Sequence, residues 1–486
     1  MNQMKRSIII LSLAAFFFSA NSQTVDDALR YSQQFYEGTA RNMAMGGAFG
    51  ALGADFSTAS TNPAGMGLYR SSELIITPEV SSLLTKSTYN NSYTEDSKSI
   101  FNLANFGYVQ TSKISNTGWK YFQFGMGMNR LNNYNTNQYM RGENLENSRL
   151  DIYAQDADGI NYSVIDNSNN YPFDLYPAWY TYLIDTVPGY TDLYYTPVPF
   201  AGTMQEQSIR STGSTNEWLF SFSGNYSDKL FVGATIGLPY IRFKRETFYK
   251  ESDVADTIPW FNDWSVKENL VTTGWGINLK VGFIYQPVKW VRIGGAIHTP
   301  TYYWSLNDSW YTTHRADLEW DASSYTSVTG KYQYRLSTPM RVIGDAAFII
   351  QRVGLLSFEY EYVDYSTTKF SASDFGFNDV NSGIRSSYKS THNFRVGGEY
   401  RLGQASLRAG YNYYTSPYAN NLNDGERMTI SGGIGYNFGS ASIDFAYVRS
   451  LTDEDYYMYS SETIQPNAVQ NTFRGQLFAL SLKTKF

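Results

Sequence analysis

The stretch Leu477-Phe478-Ala479-Leu480-Ser481-Leu482-Lys483-Thr484-Lys485-Phe486 has two different faces. Phe478, Leu480, Leu482, Thr484 and Phe486 share one face, and Leu477, Ala479, Ser481, Lys483 and Lys485 share the other. One face is mostly apolar and the other mostly polar, at a strict period of two. That is the pattern of a strand whose sides meet different surroundings. The pattern recurs upstream. Ile443, Phe445 and Tyr447 oppose Ser442, Asp444 and Ala446, and Phe358, Tyr360 and Tyr362 oppose Glu359 and Glu361. Trp275, Ile277, Leu279, Val281 and Phe283 oppose Gly276, Asn278, Lys280 and Gly282.

Fourteen such segments are expected, at 72–84, 100–112, 118–131, 213–226, 229–249, 270–287, 289–304, 338–351, 353–369, 390–402, 404–415, 427–438, 440–451 and 472–486. Each can cross a membrane as a tilted strand of about 9–11 residues. The connections alternate without exception. Long ones at 85–99, 132–212, 250–269, 305–337, 370–389, 416–426 and 452–471 are separated by short ones such as Asn116-Thr117 and Pro287-Val288. Outer-membrane barrels have short periplasmic turns and longer extracellular loops. The expected fold is therefore all-β: a 14-stranded antiparallel transmembrane β-barrel over 72–486, with both termini periplasmic.

Composition agrees. Charged residues are 17% of the chain, against about 25% in soluble proteins. There is no Cys, which excludes disulfide scaffolds, thiolate metal sites and cysteine nucleophiles. Three His (His298, His314, His392) argue against a multi-histidine metal site. A net charge of -6 makes no electrostatic case for nucleic acid. No G-x-S-x-G, H-E-x-x-H or P-loop is present, so neither an enzyme nor a cofactor is expected.

Residues 1–22 read as a signal peptide: Lys5 and Arg6, an apolar run from Ile8 to Phe18, and small Ala20 and Ser22 before the cut. No later run is long enough for a membrane helix. Fourteen strands enclose a lumen between the side-chain-filled and the open-channel sizes, so it must be plugged or lined. Residues 23–71 precede the first strand and are rich in small residues, as in Gly46-Gly47-Ala48-Phe49-Gly50-Ala51. They are the expected plug, since small residues let backbone approach a wall closely.

GTARNMAMGGAFGALGADFSTASTNPAG (38–65) resembles the N-terminal hatch of the FadL family of outer-membrane transporters, which includes long-chain fatty acid and aromatic hydrocarbon channels. TGWGINLKVGFIYQPVKWVRIGGAIHTPT, LSTPMRVIGDAAFII with LSFEYEYVDYS, and LRAGYNYYTSPY with ISGGIGYNFG are similar to successive strand pairs of that family. The resemblance implies that a hydrophobic small molecule enters from the extracellular loops. It then leaves sideways through the wall beside a kinked strand when the hatch moves. Phe486 looks like the C-terminal signal read by the barrel-assembly machinery.

The hatch and channel candidates that follow are Arg41, Gly46, Gly47, Asn62, Pro63 and Ala64. Asn62 is expected to hydrogen-bond hatch or wall backbone, against the plainer reading of an Asn-Pro turn. Arg41 is expected to pair with Glu359 or Glu361. Gly125 and Gly127 are the candidate strand kink for lateral exit, against the plainer reading of ordinary barrel glycines. Lys280, Arg292, Glu359, Glu361, Arg395, Glu399, Arg401, Arg408 and Asp444 are expected inside the lumen.

The loop 132–212 is far longer than a usual connection. It is dense in rings, including Tyr171, Phe173, Tyr176, Trp179, Tyr180 and Tyr182. Three readings stand: a ligand-catching groove, a docking surface for a protein partner, or a cap folded on its own core. The leading functional expectation is passive uptake of a hydrophobic, long-chain fatty acid-like molecule into the outer-membrane lipid, with no cofactor. The rival is a non-transporting subunit of a larger outer-membrane assembly or secretion complex.

Overall fold

A computed structural model describes residues 23–35, 37–114, 118–198, 202–351, 353–421, 423–461 and 463–486. The expected signal segment 1–22 and the expected turn at Asn116-Thr117 lie outside the described residues. The barrel strands are β1 (Glu73–Tyr89), β2 (Ser92–Lys113), β3 (Trp119–Asn133), β4 (Thr203–Tyr226), β5 (Leu230–Ser252) and β6 (Phe261–Val288). Then come β7 (Val291–His298, continuing as Tyr302–Leu318), β8 (Gly330–Ser337, continuing as Arg341–Ile350), β9 (Gly354–Asp364) and β10 (Ser390–Leu402). The last are β11 (Ala405–Tyr414), β12 (Arg427–Asn437), β13 (Ala441–Tyr456) and β14 (Val469–Lys485). Each pairs antiparallel with the next, and β14 returns to β1 with Lys485 opposite Glu73. The result is a closed 14-stranded antiparallel barrel, and closure removes the edges that an open sheet would leave unpaired.

Alternation explains the wall. Along β6, Trp275, Ile277, Leu279, Val281 and Phe283 face out, while Asn278, Lys280 and Ile284 are buried. Trp275 to Tyr285 is ten residue steps. At about 3.3 Å per residue and a tilt near 40°, that is about 25 Å of membrane. Trp119, Tyr226, Tyr285, Trp290 and Phe438 ring the outer surface near the short turns, and Trp218, Tyr240, Trp275 and Tyr302 ring it higher up.

Several expected loops are strand. β1 and β2 stay paired to Tyr89 and Ser92, where a loop at 85–99 was expected. β4, β5 and β6 stay paired with one another up to Met204, Ser252 and Asp263. Beyond the membrane band both faces meet water or protein, so the two-residue hydrophobic pattern fades while the hydrogen-bond ladder continues. The segment 132–212 and the tops of these strands fold together as a cap. It holds α3 (Leu150–Ala157), α4 (Tyr162–Ile165) and α5 (Leu175–Tyr180). Its core includes Tyr153, Leu175, Ile184, Tyr249, Trp264 and Leu318. Tyr180, Tyr182, Tyr190 and Tyr195 remain exposed.

Candidate functional site: the plugged lumen

The described residues before β1, 23–35 and 37–72, pack against barrel residues on the inner side of the wall. Their first element is α1 (Val25–Ser32). Thr24 caps it, accepting from Asp27 N while Asp27 accepts in return from the Thr24 backbone, which satisfies two orphan donors. Asp26 and Asp27 at its start and Arg30 at its end suit the helix dipole. α1 packs through Tyr31 into an apolar cluster with Tyr134, Phe243, Tyr303, Tyr334 and Phe370. α2 (Ala40–Ala44) follows, and then two short 3-10 turns, Phe56–Ala59 and Pro63–Leu68.

Polar contacts tie this plug to the wall. Arg41 pairs with Glu399 on β10 at 2.9 Å. Glu399 also holds Arg408 of β11 at 2.8 Å, and Arg408 holds Asp444 of β13 at 2.7 Å. Asp444 meets Lys483 of β14 at 3.3 Å, and Lys483 reaches Asp55 of the plug at 3.1 Å. Thr39 Oγ1 donates to Asp55 at 2.8 Å, so the chain of charges leaves the plug at Arg41 and returns to it at Asp55. Arg41 thus meets neither Glu359 nor Glu361. Both are engaged on the wall itself, Glu359 by Arg395 and Glu361 by Arg341 and Arg395.

Asn62 is fully buried. Its Nδ2 donates to the Phe283 carbonyl of β6 at 3.2 Å and to Asp345 of β8 at 3.1 Å. Its Oδ1 accepts from Ala64 N at 3.2 Å, capping the second 3-10 turn, with Pro63 at the first position. Ala64 packs with Leu68 against Phe231 and Ile284. Ser60 donates to Glu217 of β4 at 2.9 Å, and Lys280 of β6 also pairs with Glu217. His298 of β7 sits 2.6 Å from the Thr61 carbonyl.

Gly46 and Gly47 have φ of 63° and 75°, a region that disfavours residues with a Cβ. They turn the plug between α2 and Phe49, and Gly46 lies against the backbone of Gly410 and Tyr411 on β11. The wall answers with glycines of its own. A Cβ on Gly233 would collide with the Pro63 carbonyl, and one on Gly282 with Asn62 Oδ1. Gly125 and Gly127 belong to the same set, facing Met66 and Phe56 of the plug. The β3 ladder runs through both without a shift, Gly125 opposite Val109 and Ser221, Gly127 opposite Gly107 and Leu219. The irregularities of β3 lie at Trp119/Tyr121 and Arg130/Asn132.

Sequence reasoning placed Glu399, Arg408, Asp444 and Lys280 inside but missed Asp55, Glu217, Asp345 and Arg341 as partners. The signal for Asp55 was a lone carboxylate within a run of small residues. The signal for Glu217 was a charge at an inward position of β4. The inward wall glycines were also legible as gaps in the alternation. Among the described residues no cluster of His, Asp or Glu fits a metal ion.

A family model for outer membrane protein transport protein (OMPP1/FadL/TodX) matches residues 220–486. The structure is similar to a Pseudomonas aeruginosa FadL homologue, at 16% identity over 93% of this chain and 98% of that one, TM-score 0.56. It is similar to the Pseudomonas putida toluene transporter TodX, at 13% identity over 94% and 100%, TM-score 0.55. It is also similar to the CymD monoaromatic hydrocarbon channel, at 13% identity over 92% and 97%, TM-score 0.52. No curated protein sequence matches the chain. At these identities the structural likeness carries the fold and not the cargo.

Proposed function

The chain belongs to the OMPP1/FadL/TodX family of outer-membrane transport proteins, and from that premise we propose that it takes up hydrophobic small molecules, long-chain fatty acids foremost, by passive movement. The cap faces the outside of a Gram-negative cell and the short turns face the periplasm. The observation that carries the reading is the plug. It packs against the inner side of the wall and is held there by hydrogen bonds, ion pairs and packing. α1 is packed into an apolar cluster of wall rings. A hydrophobic molecule entering from the cap competes with α1 for those rings. Displacing α1 loosens the plug that follows it in sequence. The exit is sideways into the membrane interior, which spares an apolar molecule any crossing of water. The similar structures named for toluene and monoaromatic hydrocarbons support a hydrophobic cargo as a class.

The test is uptake of labelled oleate and of labelled toluene by cells with and without the protein. Saturable uptake that depends on the protein supports the reading, and its absence for both cargoes rejects it. A second reading, a barrel subunit that docks a partner on its cap, is favoured by the exposed Tyr180, Tyr182, Tyr190 and Tyr195. Gentle extraction with stoichiometric protein partners and no bound small molecule would select it.

A further inference from the structure

We infer that the cargo leaves the lumen through the seam between β7 and β8, and that a concavity of the lipid-facing wall beside this seam receives it; the inference rests on the transport reading above. The seam is a gap in the ladder. His298 lies opposite Arg341 and Tyr302 opposite Ser337, while residues 299–301 and 338–340 between them are unpaired as strand. Pro300 and Pro339 stand in the two gaps, and neither has an N–H to give to the ladder. Thr338 N to the Thr301 carbonyl and Thr301 N to Thr338 Oγ1, both 3.0 Å, span the break. On the lumen side a small polar recess beside the break is formed by Asn278, Lys280, His298, Thr301 and Thr338. Its hydroxyl, amide and imidazole groups can partner backbone exposed when the seam parts, which membrane lipid cannot do. His298 Nδ1 is buried there with no partner.

On the lipid side lies a concavity of about 880 Å³. It spans the outer faces of β3 to β8, from Trp119 and Phe122 through Phe222, Val281 and Phe283 to Ile297 and Val342. Ile297 and Val342 are the immediate chain neighbours of His298 and Arg341, so one end of the concavity meets the seam. Its size falls in the range of about 300–1,000 Å³ that small-molecule sites occupy. Behind it, bare glycine backbone separates the membrane from the plug. Gly233 and Gly282 meet Pro63 and Asn62 on their lumen side, and both also border the concavity. Movement of the plug motif is therefore felt by the same strands that shape the berth. At Gly125 and Gly127, by contrast, parting the wall would break a regular ladder on either side. The occupant is one cargo molecule with an extended apolar body, at the moment it passes from barrel to bilayer.

The chain has no Cys, so engineered pairs are unique. Thr299→Cys with Met340→Cys staples the seam, Met126→Cys with Phe220→Cys staples β3 to β4, and Ala409→Cys with Gly432→Cys staples the far wall. Oxidation of the first pair should lower uptake of labelled oleate at least tenfold, with recovery on reduction, and the other two should leave it near wild type. Full uptake with the seam stapled, or a block by the β3–β4 staple alone, overturns the inference while leaving transport intact. A wild-type barrel that takes up nothing sinks the transport reading itself. For the berth, a photoreactive fatty acid should label Phe222, Val281 and Ile297, and Ala234→Trp should abolish that labelling. Equal labelling by a photoreactive phospholipid with no cargo added would assign the concavity to bulk lipid and refute the berth.

Discussion

Asn62→Ala should free the plug without unfolding the barrel strands. The substitution removes three contacts at once. The bond to the Phe283 carbonyl is neutral, at 3.2 Å, and is worth about 1 kcal/mol net. The bond to Asp345 at 3.1 Å goes to a buried carboxyl beside Glu359 and is worth about 0.5–1.5 kcal/mol. The cap on Ala64 N at 3.2 Å adds about 0.5–2 kcal/mol. These do not add fully, because water can enter the vacated space and the three share one side chain. About 3 kcal/mol is a fair working figure, and at 1.4 kcal/mol per decade it raises the population of locally detached plug roughly 150-fold. The barrel strands keep their own ladders, so the opening is local. The assay is amide hydrogen exchange over residues 38–68 in detergent micelles, with the β10–β14 ladders as internal reference. Exchange in the plug should quicken about a hundredfold while the reference is unchanged. Planar-bilayer recordings should show a leak that the wild type lacks. Plug exchange within twofold of wild type would refute the anchoring role given to Asn62. Equal acceleration of the barrel strands would show that plug and wall unfold as one unit.

Gly233→Leu places a side chain where the Pro63 carbonyl now lies; limited proteolysis should cut the plug faster while the barrel keeps its heat-modifiable migration on gels. Lys483→Met leaves Asp55 and Asp444 facing each other without their shared cation. Breaking a buried pair costs about 3–5 kcal/mol, and the loss should persist at high salt because the site is screened from ions. In the cap, burial pushes the Asp174 carboxyl up to about 6, although Leu175 N–H donates to it at 2.7 Å. A raised acid binds its proton more tightly folded than unfolded, so cap stability should fall as pH rises from about 4 to 6. The fall should be about 1–2 kcal/mol, allowing for partial exposure. Cap proteolysis followed across pH 4–7 checks this, and Asp174→Asn should flatten the dependence. Trp264→Ala empties the middle of the cap core beside Tyr153 and Tyr249; a loss of about 3–5 kcal/mol should appear as faster cleavage within 132–212.

What could be read from the sequence follows from where physics imposes a period. In the membrane band one face of each strand meets lipid, so Phe478, Leu480 and Leu482 had to alternate with Ala479, Ser481 and Lys483, and the barrel was visible without coordinates. Above the band that pressure ends. Lys86 and Glu95, or Tyr249 and Val266, are paired on neighbouring strands with no alternation to announce it. The partner of Arg41 was out of reach for another reason. Glu359, Glu361 and Glu399 all sit at inward positions of the adjacent strands β9 and β10, and the choice among them depends on how Arg395 and Arg341 distribute themselves first. Pairing in such a network is a property of the whole set of charges and not of any one residue.

The wall glycines connect the two kinds of information. Gly233 and Gly282 break the inward pattern of their strands, and a single strand offers no reason for the break. The reason lies far off in the chain, in Asn62 and Pro63, whose backbone and amide occupy the space those side chains would fill. The two features depend on each other. A plug rich in small residues needs a wall with matching recesses, and recesses without a plug would leave a leak. The wall is thinnest where it is recessed, so the place that seats the plug is also the place where a shift of the plug can most readily deform the wall. This is why the β7–β8 seam, with its prolines and its broken ladder, is a better candidate for a gate than the regular ladder of β3.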